Sequence, residues 1–102
     1  MMKKILLLCS AGMSTSMVVK KMRESAAKKG LDVHIEAQPV EAFHDYLGEY
    51  DLFLLGPQIR FKKDELQKIA DPVSKKVEVI NMGDYGMMKG EKILEEALKL
   101  LA

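Results

Sequence analysis

The chain has one cysteine in 102 residues, almost no net charge and no long apolar run. A lone thiol excludes an intramolecular disulfide and any zinc site built from several cysteines. It also makes a reducing, cytoplasmic setting the natural expectation. Sixteen basic residues against fifteen acidic ones leave a net charge of +1. That balance argues against a general electrostatic surface for nucleic acid, while leaving room for a local basic patch. No stretch approaches the ~18 apolar residues of a membrane-inserted helix. The start, Lys3-Lys4 followed by Ile5–Leu8 and Cys9, imitates a secretory or lipoprotein signal. Its apolar run falls short of the ~7–15 residues such a signal needs, and Leu8 is bulky where processing sites favour small residues. The run reads instead as a strand. Length and composition fit one soluble domain with a modest core.

The distinctive stretch is Cys9-Ser10-Ala11-Gly12-Met13-Ser14-Thr15-Ser16. It follows the apolar run and precedes the helix-like pattern Met17-Val18-Val19-Lys20-Lys21-Met22. Strand, small-residue loop and helix start therefore follow one another. Such a loop turns several backbone N–H groups toward one point, and the helix dipole adds partial positive charge there. Those donors favour a thiolate and suit a phosphoryl group carried on its sulfur. A lone cysteine at a strand end is also commonly a small buried hydrophobe, and a hydroxyl before a helix is an ordinary cap. Capping needs one hydroxyl, however, and Ser10, Ser14, Thr15 and Ser16 supply four. Cys9 is thus the candidate nucleophile.

Periodicity carries the rest. Lys4–Leu8 predicts a strand buried on both faces. A helix is expected from about Ser16 to Lys29, with Met17, Val18, Met22 and Ala26 inward and Gly30 as its stop. Leu31–Ala37 alternates as a second strand with one more exposed face, as at a sheet edge. Val40–Leu47 reads as a short helix after Pro39. Asp51–Leu55 is a third strand, closed by Gly56-Pro57-Gln58. Helix, strand and helix follow at about Lys62–Ala70, Val77–Ile80 and Gly90–Leu101, with Asn81–Gly86 as a loop. His34 and His44 lack a partner motif and read as surface residues.

Strands alternating with helices predict an α/β fold: an open, doubly wound, four-stranded parallel sheet with helices on both faces and right-handed crossovers. In such sheets ligands bind beyond the carboxyl ends of the strands, at the switch point. Cys9, Pro57-Gln58 and Gly83–Gly86 should therefore share one rim.

Several chemistries can be tried against this rim. A cysteine phosphatase or arsenate reductase loop of the Cys-x5-Arg type clamps its oxyanion with an arginine, and Thr15 stands in the arginine's place. A receiver domain needs an acceptor aspartate at the carboxyl end of the third strand, but Asp51 lies at its start. Walker, dinucleotide-binding and Cys-x-x-Cys motifs are missing, so neither a cofactor nor a metal is expected. What remains is a cysteine able to hold a phosphoryl group, with no arginine clamp and no evident base to activate water. Those are features of a carrier more than of a hydrolase.

The loop from Cys9 to Ser16, Lys21-Met22-Arg23 on the next helix, Leu54-Leu55-Gly56-Pro57-Gln58-Ile59, Val77–Ile80 and Tyr85-Gly86 resemble the signatures of enzyme IIB of the bacterial phosphoenolpyruvate-dependent sugar phosphotransferase system (PTS). The resemblance is to its lactose/cellobiose (chitobiose) class and covers essentially the whole chain. It implies one IIB-type domain, 1–102, with a sheet arrangement similar to that of low-molecular-weight phosphotyrosine phosphatases. It implies a cytoplasmic phosphotransferase whose Cys9 takes phosphate from a histidine on enzyme IIA. The phosphocysteine would then pass it to a sugar, such as a β-linked disaccharide, held by the membrane enzyme IIC. Ser10, Ala11, Gly12, Met13, Ser14, Thr15 and Ser16 would form the phosphate loop. Pro57, Gln58 and Tyr85 match positions near the rim, as contacts to phosphate or partner. IIA and IIC would be separate chains. A regulatory phosphocysteine domain, or a phosphatase or reductase, is the alternative. Met13 reads either as an exposed apolar anchor for partners or as core. Lys20, Lys21 and Arg60 read either as a steering rim or as ordinary solvated charges.

Overall fold

A computed structural model describes residues 2–10 and 13–102. Expectations placed on Ala11 and Gly12, and on the side chains of Met13 and Ser14, lie outside the described residues. Four strands, β1 (Lys3–Cys9), β2 (Val33–Pro39), β3 (Leu52–Leu55) and β4 (Lys76–Val79), form one parallel sheet in the order β2-β1-β3-β4. Strand β1 is central, and Ile5–Leu8 are wholly buried, as its unbroken aliphatic run requires. Successive side chains on a strand point to opposite faces. Ile5 and Leu7 therefore join one core with α1 (Met13–Lys28) and α5 (Gly90–Leu101). Leu6 and Leu8 join the other with Phe43 of α2 (Phe43–Tyr46) and with Leu66 and Ala70 of α3 (Lys63–Ala70).

Helix α1 begins three residues before the expected Ser16. Its buried stripe is Thr15, Val18, Val19, Met22 and Ala26. Met17, expected inside, is 45% exposed. At roughly 100° per residue it falls almost opposite the centre of that stripe. Helix α1 ends in a Schellman arrangement. Gly30 has φ +65°, its N–H donates to Ala27 O (3.2 Å), and the Leu31 N–H donates to Ala26 O (2.9 Å). Leu31 thus spends its N–H on the helix cap, and β2 starts at Val33, two residues later than the alternation suggests.

The order β2-β1-β3-β4 puts a switch point between β1 and β3. The chain moves from β1 to one neighbour and then crosses to the other. Helix α5 runs over Gly90–Leu101, the range its periodicity predicts. The segment after β4 is different. Asn81–Gly86 is not a plain loop but carries a short helix, α4 (Met82–Gly86). Asn81 caps it by accepting the Asp84 N–H on Oδ1 at 3.0 Å. Five residues are too few for a hydrophobic period to register, so the sequence pattern did not reveal it.

Candidate active site

Cys9 is the last residue of β1, beside the switch point, and is 6% exposed. Its Sγ lies 4.0 Å from the Gln38 carbonyl oxygen of the neighbouring edge strand β2. Ser10 is exposed, and the chain enters α1 at Met13. The thiol is therefore held by the central strand, directly before the amino end of a sixteen-residue helix. Such a helix end presents backbone donors and partial positive charge.

The other two loops meet it there. The N–H of Gly56, just past β3, donates to the carbonyl of Leu8 at 3.0 Å, one residue before the thiol. Gly56 sits close to the other rim residues: a Cβ there would stand 3.0 Å from Gln58 Oε1 and 3.8 Å from the Tyr85 ring. Pro57 is buried and opens a 3-10 turn, Pro57–Lys62, and Gln58 is exposed. A shallow cavity of about 300 Å³ is lined by Pro57, Gln58, Arg60, Met82, Tyr85 and Gly86. The three segments expected to share one rim do so.

Thr15 and Tyr85 form the most telling contact. Thr15 is wholly buried, and its Oγ1 lies 3.0 Å from Tyr85 Oη, across seventy residues of sequence. In place of the guanidinium of a Cys-x5-Arg loop, this chain has a buried hydroxyl tied to a tyrosine. That bond fastens the first turn of α1 to α4, so the loop after Cys9 is anchored at its far end. Ser16, beside it, is exposed.

Sequence reasoning missed two members of this neighbourhood. Asp84 is buried, and Lys92 Nζ of α5 lies 3.5 Å from its Oδ1. Met82 is 61% exposed and lines the cavity. The signal available was the spacing Asn81-x-x-Asp84, an N-cap pattern inside an apparent loop. Arg60 does reach the rim, with Nη1 donating to the Pro57 carbonyl at 3.4 Å. The two histidines lie elsewhere. His44 is exposed, and His34 Nε2 lies 3.3 Å from Tyr50 Oη and 3.7 Å from Glu36 Oε1. Among the described residues, no three His, Cys, Asp or Glu side chains come together as a metal site. Among them, too, no helix is long and apolar enough to cross a membrane.

Comparison with known proteins covers nearly the whole chain. The family model "PTS system, Lactose/Cellobiose specific IIB subunit" matches residues 4–96. The oligo-beta-mannoside-specific PTS EIIB component of Bacillus subtilis is 48% identical, over 98% of this chain and 97% of the relative. The galactose-specific EIIB component of Lactococcus lactis is 42% identical, over 97% and 96%. The solution structure of a cellobiose-specific IIB component from Borrelia burgdorferi superposes with a TM-score of 0.81 at 40% identity, covering 97% of this chain and 91% of that one.

Proposed function

The chain belongs to the lactose/cellobiose-specific IIB subunit family of the PTS, and on that premise we propose that Cys9 is its phosphoryl carrier within a single IIB-type domain. The Cys9 thiolate attacks the phosphorus of a phosphohistidine on enzyme IIA. The S–P bond forms as the N–P bond breaks, and the imidazole leaves with its electron pair and takes up a proton. In the second transfer a sugar hydroxyl held by enzyme IIC attacks phosphorus. The S–P bond then breaks, the thiolate is regenerated and the hydroxyl proton is lost. Backbone donors of the loop Ser10–Ser16 hold the equatorial oxygens through both in-line steps. Pro57, Gln58 and Tyr85 border the path of the incoming partner. The protein works on the cytoplasmic side of the membrane, alongside IIC. Its relatives are named for oligo-β-mannoside and galactose, and a solved one for cellobiose. A β-linked disaccharide is the sugar class we assign.

The observation that carries this reading is the position of Cys9. It sits at the carboxyl end of the central strand, at the switch point, before the amino end of α1. Thr15, tied to Tyr85 at 3.0 Å, favours a carrier over a hydrolase. A loop without an arginine clamp binds the phosphoryl group without holding it too tightly for onward transfer.

Intact-mass measurement after incubation with phosphoenolpyruvate, enzyme I, the histidine phosphocarrier protein and a IIA subunit of this class tests the reading. One added phosphoryl group is expected, mapped to Cys9 and absent in Cys9→Ser, which folds normally. A phosphorylated IIA that leaves the chain unmodified overturns it.

A further inference from the structure

Strands β2 and β4 are the edges of the sheet, and side chains from neighbouring helices reach the open side of each. On β2, Arg23 Nε of α1 donates to the Ile35 carbonyl at 2.8 Å, and Arg23 Nη2 pairs with Glu36 Oε1 at 3.0 Å. A guanidinium has no acceptor, so it covers only carbonyls. On β4 the cover has both a donor and an acceptor, in the side chain of Gln67 on α3. Gln67 Nε2 donates to the Lys75 carbonyl at 2.9 Å, and Gln67 Oε1 accepts the Val77 N–H at 2.8 Å. Nε2 also donates to Asp71 Oδ1 at 2.8 Å. A carboxylate only accepts, which fixes the orientation of the amide.

The Lys75 carbonyl and the Val77 N–H flank Lys76. In a parallel ladder, a residue of the adjacent strand donates its N–H to the carbonyl before its partner and accepts the N–H after it. Gln67 makes that same pair of bonds around Lys76, so its primary amide takes the place of a peptide group in an added parallel strand. The local sequence puts it there. Leu66 and Ala70 of α3 are buried, and Gln67 lies at the margin of their stripe, with Lys63 and Asp71 four residues to either side. One 3-10 turn, Asp71–Val73, and Ser74 at φ +57° return the chain into β4. Further along the edge, Lys63 Nζ pairs with Glu78 Oε1 at 3.1 Å.

An open strand edge is a template for another chain, and the residues of β4 select a second copy of this one. The Ile80 N–H donates to Leu55 of β3 at 2.9 Å. By alternation Lys76 and Glu78 also turn their backbone groups toward β3, while Val77 and Val79 turn theirs outward. Antiparallel pairing centred on Val77 would set the Lys76 of each copy opposite the Glu78 of the other, a favourable cross-strand pair. Val77 would exchange N–H and carbonyl with its counterpart, and each Val79 N–H would reach the Lys75 carbonyl of the other copy. Pairing centred on Glu78 would instead set two carboxylates face to face. The favoured register needs the Val77 N–H and the Lys75 carbonyl, the two groups that Gln67 occupies.

We infer that the Gln67 side chain is a strand mimic that keeps β4 from pairing antiparallel with the β4 of a second copy. The test is sedimentation and thermal melting of the full chain across a wide range of concentration. The wild type stays monomeric. Gln67→Ala removes the mimic without adding apolar surface, and it dimerises at least about tenfold more tightly than the wild type. Its melting temperature rises with protein concentration. Gln67→Ala/Glu78→Lys sets lysine against lysine and returns to the monomer. Adding Lys76→Glu to that pair restores opposite charges, and the dimer with them. Hydrogen exchange of the wild-type monomer gives a reading that needs no variant: the Val77 N–H is protected like an interior ladder amide although it faces outward from an edge strand.

A folded Gln67→Ala chain that stays monomeric at every concentration overturns the inference. So does a Gln67→Ala dimer indifferent to Glu78→Lys, since that dimer does not pair through this register. Unprotected exchange at Val77 in the wild-type monomer overturns it as well.

Discussion

The bond between Thr15 and Tyr85 links two residues seventy positions apart through one buried pair of hydroxyls. A buried hydroxyl that loses its partner carries the cost of its own desolvation. Tyr85→Phe should therefore lower stability by about 1–2 kcal/mol in urea denaturation and slow phosphoryl uptake, because the first turn of α1 loses its tether. In Thr15→Val/Tyr85→Phe both hydroxyls are gone, and the double variant should cost less than the sum of the single changes. Strict additivity would show that the two do not act as a pair. A second residue-scale test concerns Tyr50, 4% exposed and near His34. Burial, then the neighbouring Glu36 charge, pushes its hydroxyl above the ordinary tyrosine value of about 10. The folded chain thus holds this proton more tightly than the unfolded chain. The associated stability is complete below about pH 10 and is lost as pH rises beyond it. As pH rises above about 10, the melting temperature of Tyr50→Phe should fall less steeply than that of the wild type.

Among the elements, α4 is only five residues long and starts on a side-chain cap. Asn81→Ala removes the acceptor for the Asp84 N–H and should cost about 0.5–2 kcal/mol. The substitution also loosens Tyr85, so transfer should slow with it. At the junction of α4 and α5, Gly90→Ala would bring a methyl within 2.5–2.7 Å of the α1 backbone and Lys21 Cβ. Flexible side-chain ends cannot absorb that clash. A loss of about 1–3 kcal/mol is expected, with α1 displaced from α5 and a visible change in near-ultraviolet or NMR signals. The contrast between these elements explains what the sequence could reveal. Helix α5 alternates buried Ile93, Leu94 and Ala97 with charges over twelve residues, and both its ends were legible. Helix α4 has two buried side chains, Asp84 and Tyr85, in a Gly-rich segment that reads as a loop. Met17 was misread for a related reason. An apolar residue beside Val18 looks like part of the stripe until the turn angle from Thr15 to Ala26 places it outside. The start of β2 shifted because a helix cap claimed the Leu31 N–H, a tertiary detail without a residue signature.

For the molecule as a whole, the composition conceals an uneven distribution of charge. The net charge is +1, yet Lys20 and Lys21 on α1 and Lys89 before α5 are exposed, and Arg60 lines the cavity. Several cations elsewhere are matched, as in Arg23–Glu36 and Lys29–Glu95, at 3.0 and 3.1 Å. The sheet order builds the rim, since a switch point between β1 and β3 gathers the carboxyl ends of the strands, and the segments following them, around Cys9. That gathering was legible from alternation alone; which rim residues touch was not, because contacts such as Thr15 with Tyr85 arise only on folding. A field of this kind acts on encounter more than on the chemical step. Raising ionic strength from about 0.01 M to 0.15 M shortens the screening length from about 30 Å to 8 Å. The second-order rate of phosphoryl transfer from the donor should then fall several-fold, while the single-turnover rate at saturating donor stays nearly constant. Lys20→Gln/Lys21→Gln should lower the low-salt rate and flatten the salt dependence without shifting the melting temperature, since both side chains are exposed. If the wild type and this variant share one salt slope, Lys20 and Lys21 do not steer the partner.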